Sequence, residues 1–294
     1  MNAFSPYSPL KGGRAQRHAA AVALGAGALA LIAGCSAAGS SAGSGGSGGA
    51  AAKPVSPHTA LTLAADQSKR VNSMTGTFSS QLGGNTSETT TGTMQLQLKP
   101  SLVAEENLKV TTGGKTTPMD EIITPKALYL KSGLPSLGTS AAKPWLEIEY
   151  SAMKGSLGSA LSSLLQNVQN GNPATQTQML AASKNVHEVG TQVVDGVQTT
   201  HYSGSFTPSA AIATLSPSLR KTLGPTMKSI NGDISFNVWI DGQHVSRKVV
   251  VVENVQGDSV TTTINVTSVN QPVQVTPPPA SQTTKLPASS LNGM

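Results

Sequence analysis

Cysteine, aromatic residues and charged residues are all scarce in this chain of 294 residues. The single cysteine, Cys35, excludes a disulfide within the chain. Charged residues amount to 12% and are scattered, which excludes the clustered basic surface of a nucleic-acid-binding protein. The motifs HExxH and GxSxG, the P-loop and paired cysteines are missing as well. We therefore expect a protein that is not an enzyme, with no catalytic residue, no metal site and no cofactor.

The lone cysteine closes a targeting segment, residues 1–34. A basic stretch with Lys11, Arg14 and Arg17 precedes an uncharged run of about 15 residues, which is too short to span a bilayer. The sequence IAGC at this point resembles the bacterial lipobox. The resemblance implies cleavage before Cys35 and attachment of a diacylglycerol, with palmitate among its acyl chains, to the cysteine. The alternative is an ordinary secretory signal followed by an incidental cysteine.

Such an anchor determines where we expect the protein. Two acyl chains hold a protein stably on a bilayer, so the predicted location is the extracytoplasmic face of the cell membrane. Gly, Ser and Ala dominate residues 35–57, which predicts a flexible tether with a reach of roughly 26 Å. At the other end, Pro277, Pro278 and Pro279 cannot join a central strand. Residues 277–294 are therefore predicted to be a disordered tail, and the folded domain is predicted over 58–276.

Alternation of apolar and polar residues runs through most of that domain. Met94, Leu96 and Leu98, for example, alternate with polar residues, as in half-buried antiparallel strands. About ten strands are predicted, over 78–82, 93–99, 102–110, 119–123, 127–131, 145–150, around 193, 197–206, 234–240, 245–254 and 260–269.

Tight turns separate several of these strands. Asp195-Gly196 and Asp241-Gly242 each lie between alternating runs, which predicts type I′ hairpin turns with positive φ at Gly242. Asp241 is thus interpreted as a turn residue and not as a catalytic acid.

The period changes to three and four between residues 151 and 170, which predicts an amphipathic helix. Shorter helices are predicted over 175–183 and 209–223. Strands, then helices, then strands indicate an α+β domain. We expect a strongly curved antiparallel sheet, a half-barrel of about ten strands, with two or three helices packed across its concave face.

Two stretches and the order of elements resemble a known family. The stretches are VVDGVQTTHYSGSF and DISFNVWIDGQHVSRKVVVVE, followed by a final strand that ends in PVQVTPPP. Together with the lipobox and linker, they resemble the actinobacterial LppX/LprG-type lipoproteins, relatives of the LolA-like lipoprotein carriers. The best-matching parts are residues 190–206 and 234–252. The resemblance implies a half-open barrel that encloses an apolar cavity for acyl chains, a lipid or lipoglycan ligand, and a membrane transporter as partner.

Two functions from different classes follow from the sequence. In the first, the domain binds a lipid or acylated molecule and carries or presents it in the cell envelope. In the second, it is an envelope sensor or interaction module with a packed core and a protein or cell-wall partner. For the first, the candidate cavity residues lie on one strand face and one helix stripe: Ile234, Phe236, Val238, Ile240, Leu157, Leu161, Leu164 and Val168.

Overall fold

The structure is a computed structural model. It describes residues 55–84, 87–132, 139–152, 179–215, 227–255 and 257–286, with positions 217, 220, 221 and 224. Cys35, the signal segment and most of the tether lie outside the described residues. So does the helix predicted over 151–170 beyond residue 152, with its stripe of Leu157, Leu161, Leu164 and Val168.

Twelve strands form one sheet. They are β1 (Ser73–Leu82), β2 (Glu88–Gln97), β3 (Val103–Thr112), β4 (Lys115–Ile123), β5 (Ala127–Ser132), β6 (Trp145–Glu149), β7 (His187–Val194), β8 (Val197–Phe206), β9 (Ile234–Asp241), β10 (Ser246–Val255), β11 (Asp258–Val269) and β12 (Thr283–Lys285).

The sheet is built from two runs of hairpins. Its order is β12-β6-β5-β4-β3-β2-β1-β11-β10-β9-β8-β7, and it does not close into a barrel. Strands β1 to β6 follow one another, as do β7 to β11, and the antiparallel pairing of β1 with β11 joins the two runs. The α+β class and the antiparallel strands predicted from alternation are confirmed.

Local irregularities bend this sheet. The register shifts between Thr75 and Gly76 on β1, between Glu188 and Gly190 on β7, and between Ser246 and Lys248 on β10. Each bulge adds a residue to one strand, which increases twist and bends the strand. The sheet therefore curves as a half-barrel around the helices on its concave side, which we call the inner face.

Helix α1 (Pro57–Ser68) crosses the inner face, although the sequence analysis assigns its first residue to the tether and predicts no helix here. Ser56 caps it, since its hydroxyl accepts a hydrogen bond from the Thr59 amide at 3.2 Å. Leu61 and Ala64 are buried against the sheet. The helix precedes β1 in the middle of the sheet and contacts β7 at its edge. Its apolar residues Ala60, Leu61 and Ala64 thereby join the main core.

Two other helical segments fall where the sequence predicts them. Helix α2 (Pro208–Thr214) follows β8 and is capped by Thr207. Helical residues at 179–181 precede β7, and Met179 and Leu180 are buried in the main core. Their inward orientation, expected from the sequence, is confirmed.

The hairpin turns are of two kinds. At Asp195-Gly196 both residues have positive φ, 48° and 79°, so the predicted type I′ turn is confirmed. The prediction for Asp241-Gly242 is wrong, because positive φ occurs at His244 (62°) and not at Gly242. The His244 amide donates to the Asp241 carbonyl, and the Asp241 amide donates to the Val245 carbonyl. This is a three-residue loop, a type I turn followed by one left-handed residue.

The disorder predicted over residues 277–294 is also wrong for part of the tail. Ala280–Gln282 form a 3-10 turn, and β12 then pairs with β6 in parallel, with Thr283 opposite Trp145. The Leu286 amide donates to the Glu147 carbonyl at 2.9 Å. Strand β6 would otherwise present unpaired backbone groups at the sheet edge, and such an edge readily accepts another strand.

Candidate functional site

The candidate residues on β9 lie together on the inner face. Ile234, Phe236, Val238 and Ile240 are between 0% and 3% exposed and belong to the main core. Val238 is opposite Tyr202 on one side and Val249 on the other. The shared face predicted from alternation is confirmed, whereas a role in binding a ligand stays a prediction.

This half of the inner face is closely packed. The Phe206 and Phe236 rings lie 6.0 Å apart, centroid to centroid. A Cβ added at Gly204 would lie 2.9 Å from Phe236 Cζ and 2.8 Å from Ser183 Oγ, so only glycine fits there. Gly204 therefore allows the close approach of Phe236 and Ser183 in this half.

The other half of the inner face, formed by β1 to β6, is also largely apolar. Pairing places its inward side chains in rows across the strands. One row contains Met74, Leu96, Ala104, Ile123, Leu128 and Ile148. The next row contains Met94, Glu106, Glu121, Leu130 and Leu146, and the row after it includes Phe78, Leu108 and Met119.

Two carboxyl groups interrupt this apolar surface. Glu106 on β3 and Glu121 on β4 are directly opposite each other. Glu106 is 3% exposed, and its Oε2 has no hydrogen-bond partner within the described part of the chain. Burial, with the nearby charge of Glu121, raises the pKa of Glu106 from 4.5 to about 8. Glu121 is partly exposed along its side chain, and desolvation of its carboxyl group raises its pKa to about 7.

A tyrosine adds a third polar group to the pair. Tyr150 begins the 3-10 turn after β6, and its buried hydroxyl has no partner among the described residues. Burial and the charge of Glu121 raise the pKa of this hydroxyl far above its usual value. The Tyr150 phenol thus stays neutral and can accept or donate a hydrogen bond.

A second polar position lies farther along the same half. Glu88 is 5% exposed; its Oε2 accepts from Thr112 Oγ1 at 3.1 Å, while Oε1 lacks a partner. Thr90 Oγ1, two residues on, is equally unpaired. For the residues described, these two atoms with Glu106 Oε2 and Tyr150 Oη are all the buried side-chain polar atoms without a partner. None of the four comes from β7 to β11.

The sequence analysis missed this cluster, although its signal is present. Glu106 is in phase with Ala104 and Leu108 along β3, and Glu121 is in phase with Met119 and Ile123 along β4. Alternation therefore directs both carboxyl groups inward. Recognising them as a pair required the register between β3 and β4, which the sequence does not reveal.

Asp241 and Trp239 lie on the outer face of the sheet, and their polar atoms are hydrogen-bonded there. Asp241 accepts from the amides of Gln243 and Val245 and pairs with Arg247 Nε at 2.8 Å, so its role is structural. Trp239 stacks on His201 at 4.2 Å, and its Nε1 donates to Gln192 Oε1 at 2.6 Å. These contacts bury the indole and stiffen the outer side of the sheet.

Glu147 and Glu149 likewise belong to the outer face. Both pair with Lys285 of β12, at 3.9 Å and 2.6 Å. These ion pairs link the tail strand to β6.

No group of three or more His, Cys, Asp or Glu side chains among the described residues could hold a metal ion. No helix in the described part is long and apolar enough to cross a bilayer.

Comparison with known proteins gives matches among solved structures. No family model matches the chain, and neither does any curated protein. The Mycobacterium tuberculosis lipoprotein LppX is 17% identical over 75% of this chain and 98% of its own, with a TM-score of 0.46. LprF of Mycobacterium bovis is 13% identical over 76% of this chain and 96% of its own, with a TM-score of 0.48. Both are similarities to solved structures at low sequence identity.

Proposed function

We propose that this protein is a non-enzymatic lipoprotein of the cell envelope that binds a lipid or acylated molecule on its inner face and carries or presents it. Cys35 would anchor it to the outer side of the cell membrane, and a membrane transporter would supply or receive the ligand. The sequence features behind the anchor are the IAGC motif and the tether that follows it.

One observation above all supports ligand binding. The β1–β6 half of the inner face combines broad apolar rows with four buried polar atoms that lack partners within the described chain. In ordinary cores such atoms are nearly always paired, because an unpaired buried polar group costs about 1–3 kcal/mol. An apolar surface with polar groups of this kind is typical of a binding site.

The proposal is tested by native mass spectrometry of the chain from residue 35 onward, with Cys35→Ser to avoid lipidation. We expect a bound lipid that organic solvent removes. Leu130→Trp should reduce its occupancy, because Leu130 is a partly buried residue of the β1–β6 half. Val238→Trp tests the β9 face: it should reduce bound lipid at little cost in stability if that face binds the ligand, and should lower stability by about 1–3 kcal/mol if that face is close-packed. A wild-type protein without bound lipid would contradict the proposal.

A specific observation favours the second candidate, an interaction module. Strand β7 is an edge of the sheet, and its Val189 and Val193 are 55% and 61% exposed. An exposed apolar edge strand is a template for pairing with a strand of another protein. If no lipid co-purifies and Val193→Lys abolishes binding of an envelope protein, this second function is the correct one.

A further inference from the structure

We propose that Glu106, Glu121 and the Tyr150 hydroxyl form a binding site for the protonated amine of an amphiphile, whose alkyl chain lies on the apolar rows beside them. This inference rests on the proposed function and names the chemical class of the ligand's polar end.

The first argument is the placement of the two carboxyl groups. Glu106 and Glu121 are a directly opposed cross-strand pair, so their Cβ atoms are roughly 5 Å apart. Like charges in this position destabilise a sheet. A cation placed between the two carboxylates would reverse that effect, because it attracts both.

The second argument is that the described chain supplies no such cation. Its salt bridges engage Asp66, Asp120, Asp241, Glu147 and Glu149, and none involves a carboxylate of the inner face. Lys109 and Lys131, the nearest basic residues on these strands, alternate with inward residues and so point outward. Lys131 pairs there with Asp120 at 2.8 Å.

The third argument concerns the number and kind of hydrogen-bonding atoms. An ammonium group has three donors and no acceptor. Once Glu106 and Glu121 are ionised, their carboxylates and the Tyr150 oxygen supply acceptors for all three donors, and both Glu106 Oε2 and Tyr150 Oη lack other partners in the described chain. A fatty acid would add another negative charge to the site, and an alcohol supplies a single donor.

The fourth argument concerns the apolar side chains on either side of the carboxyl pair. Leu108 and Met119 flank the pair on one side, and Ala104 and Ile123 flank it on the other. Leu130 and Leu146 continue the same row toward the sheet edge. Met119, Ile123 and Leu130 are only partly buried, so an alkyl chain attached to the amine would cover apolar surface that a compact, hydrated cation would leave exposed.

The test compares three probes of equal chain length: dodecylamine, dodecanol and dodecanoate. Their dissociation constants are measured by displacement of a fluorescent lipid from the chain beginning at residue 35 with Cys35→Ser. At pH 9, where Glu106 and Glu121 are both ionised and the amine is still protonated, we expect dodecylamine to bind about tenfold or more tightly than dodecanol, because hydrogen bonds to a charged group are about twice as strong as neutral ones. Dodecanoate should bind most weakly.

The double variant Glu106→Gln/Glu121→Gln preserves side-chain size and removes both charges. It should lose the preference for dodecylamine while its affinity for dodecanol changes by less than about twofold, and its melting temperature should not fall. Glu147→Gln/Glu149→Gln, on the outer face, is the matched control for charge and should keep the wild-type preference for dodecylamine.

The outcomes separate this inference from the proposed function. If dodecanol and dodecylamine bind equally, or if dodecanoate binds most tightly, the amine site is wrong while lipid binding stands. If the outer-face control loses the preference as fully as the inner-face variant, the attraction is a general charge effect and the site is again wrong. If none of the three probes binds, both proposals fail.

Discussion

At the scale of single residues, the opposed carboxyl groups on the inner face make the free energy of unfolding depend on pH. An unfolded glutamate titrates near 4.5, whereas Glu106 in the folded protein titrates at about 8 and Glu121 at about 7. Between these values the folded protein holds protons that the unfolded chain has released. The free energy of unfolding therefore falls as pH rises through this window and levels off above it.

We expect the melting temperature of the ligand-free protein to drop by about 5 °C or more between pH 5 and pH 8.5. The variant Glu106→Gln/Glu121→Gln should lose most of this dependence. Burial also raises the pKa of Glu253 on β10, so a smaller slope of the same sign should remain. Glu88, another carboxyl group on the inner face of the β1–β6 half, is unchanged in the double variant. Equal pH slopes in wild type and double variant would show that the pair is not buried as described.

The β9–β10 loop offers a second prediction for single residues. A left-handed backbone costs a residue with a side chain roughly 1–2 kcal/mol, and His244 has φ of 62°. Glycine removes that cost but adds flexibility to the unfolded chain, so His244→Gly should raise stability by a net amount of about 0.5–1 kcal/mol.

Thermal unfolding checks this prediction against Gly242→Ala as the control. Gly242 is exposed, and an added Cβ would meet no atom within 4 Å, so the control should change little. If Gly242→Ala lowered the stability and His244→Gly left it unchanged, the loop would instead be the type I′ turn predicted from the sequence.

At the scale of elements, the sequence predicts what depends on local pattern. Strands β8 and β9 begin and end within a residue of their predicted bounds, because alternation directly reports one buried face. The parallel pairing of β12 with β6 joins residues well over a hundred positions apart. A three-residue strand after a proline run has no periodicity of its own, so it could not be predicted.

Helix α1 was missed for a different reason. Its buried residues are mostly alanine, which gives a weak contrast between its faces. The Ser56-Pro57 start was an available signal, because serine at the N-cap and proline at the first position favour a helix beginning. The Gly, Ser and Ala composition just before it led to the interpretation of a continuous tether.

The tail strand gives the prediction at this scale. A chain that ends at residue 279 loses β12, the backbone bond from Leu286 to Glu147 and the Lys285 ion pairs. We expect it to be about 1–2 kcal/mol less stable and to self-associate more readily, since β6 becomes an open edge. A chain that ends at residue 286 is the control and should match the full protein. Thermal unfolding and sedimentation velocity measure both effects, and a fully stable, monomeric shorter chain would contradict the role given to β12.

At the scale of the whole molecule, the proposed function requires both the inner face of the sheet and the lipid anchor. The inner face would receive a membrane-derived ligand, and the tether before α1 would let the domain approach the bilayer surface within roughly 26 Å. Uptake of the ligand and approach to the bilayer both depend on Cys35, because no other residue of the chain can take a thioether-linked lipid.

Replacement of that cysteine tests the arrangement in living cells. Cys35→Ala should abolish lipid attachment and lipoprotein processing, so the protein should remain as a precursor or appear in the medium. Ser36→Ala, next to the cleavage point, is the control and should leave processing and membrane association intact. Cell fractionation with mass measurement of the N-terminal peptide distinguishes the forms. A Cys35→Ala protein that is still mature, membrane-bound and lipid-modified would contradict the anchor. Without that anchor, nothing would hold the inner face close to its source of ligand.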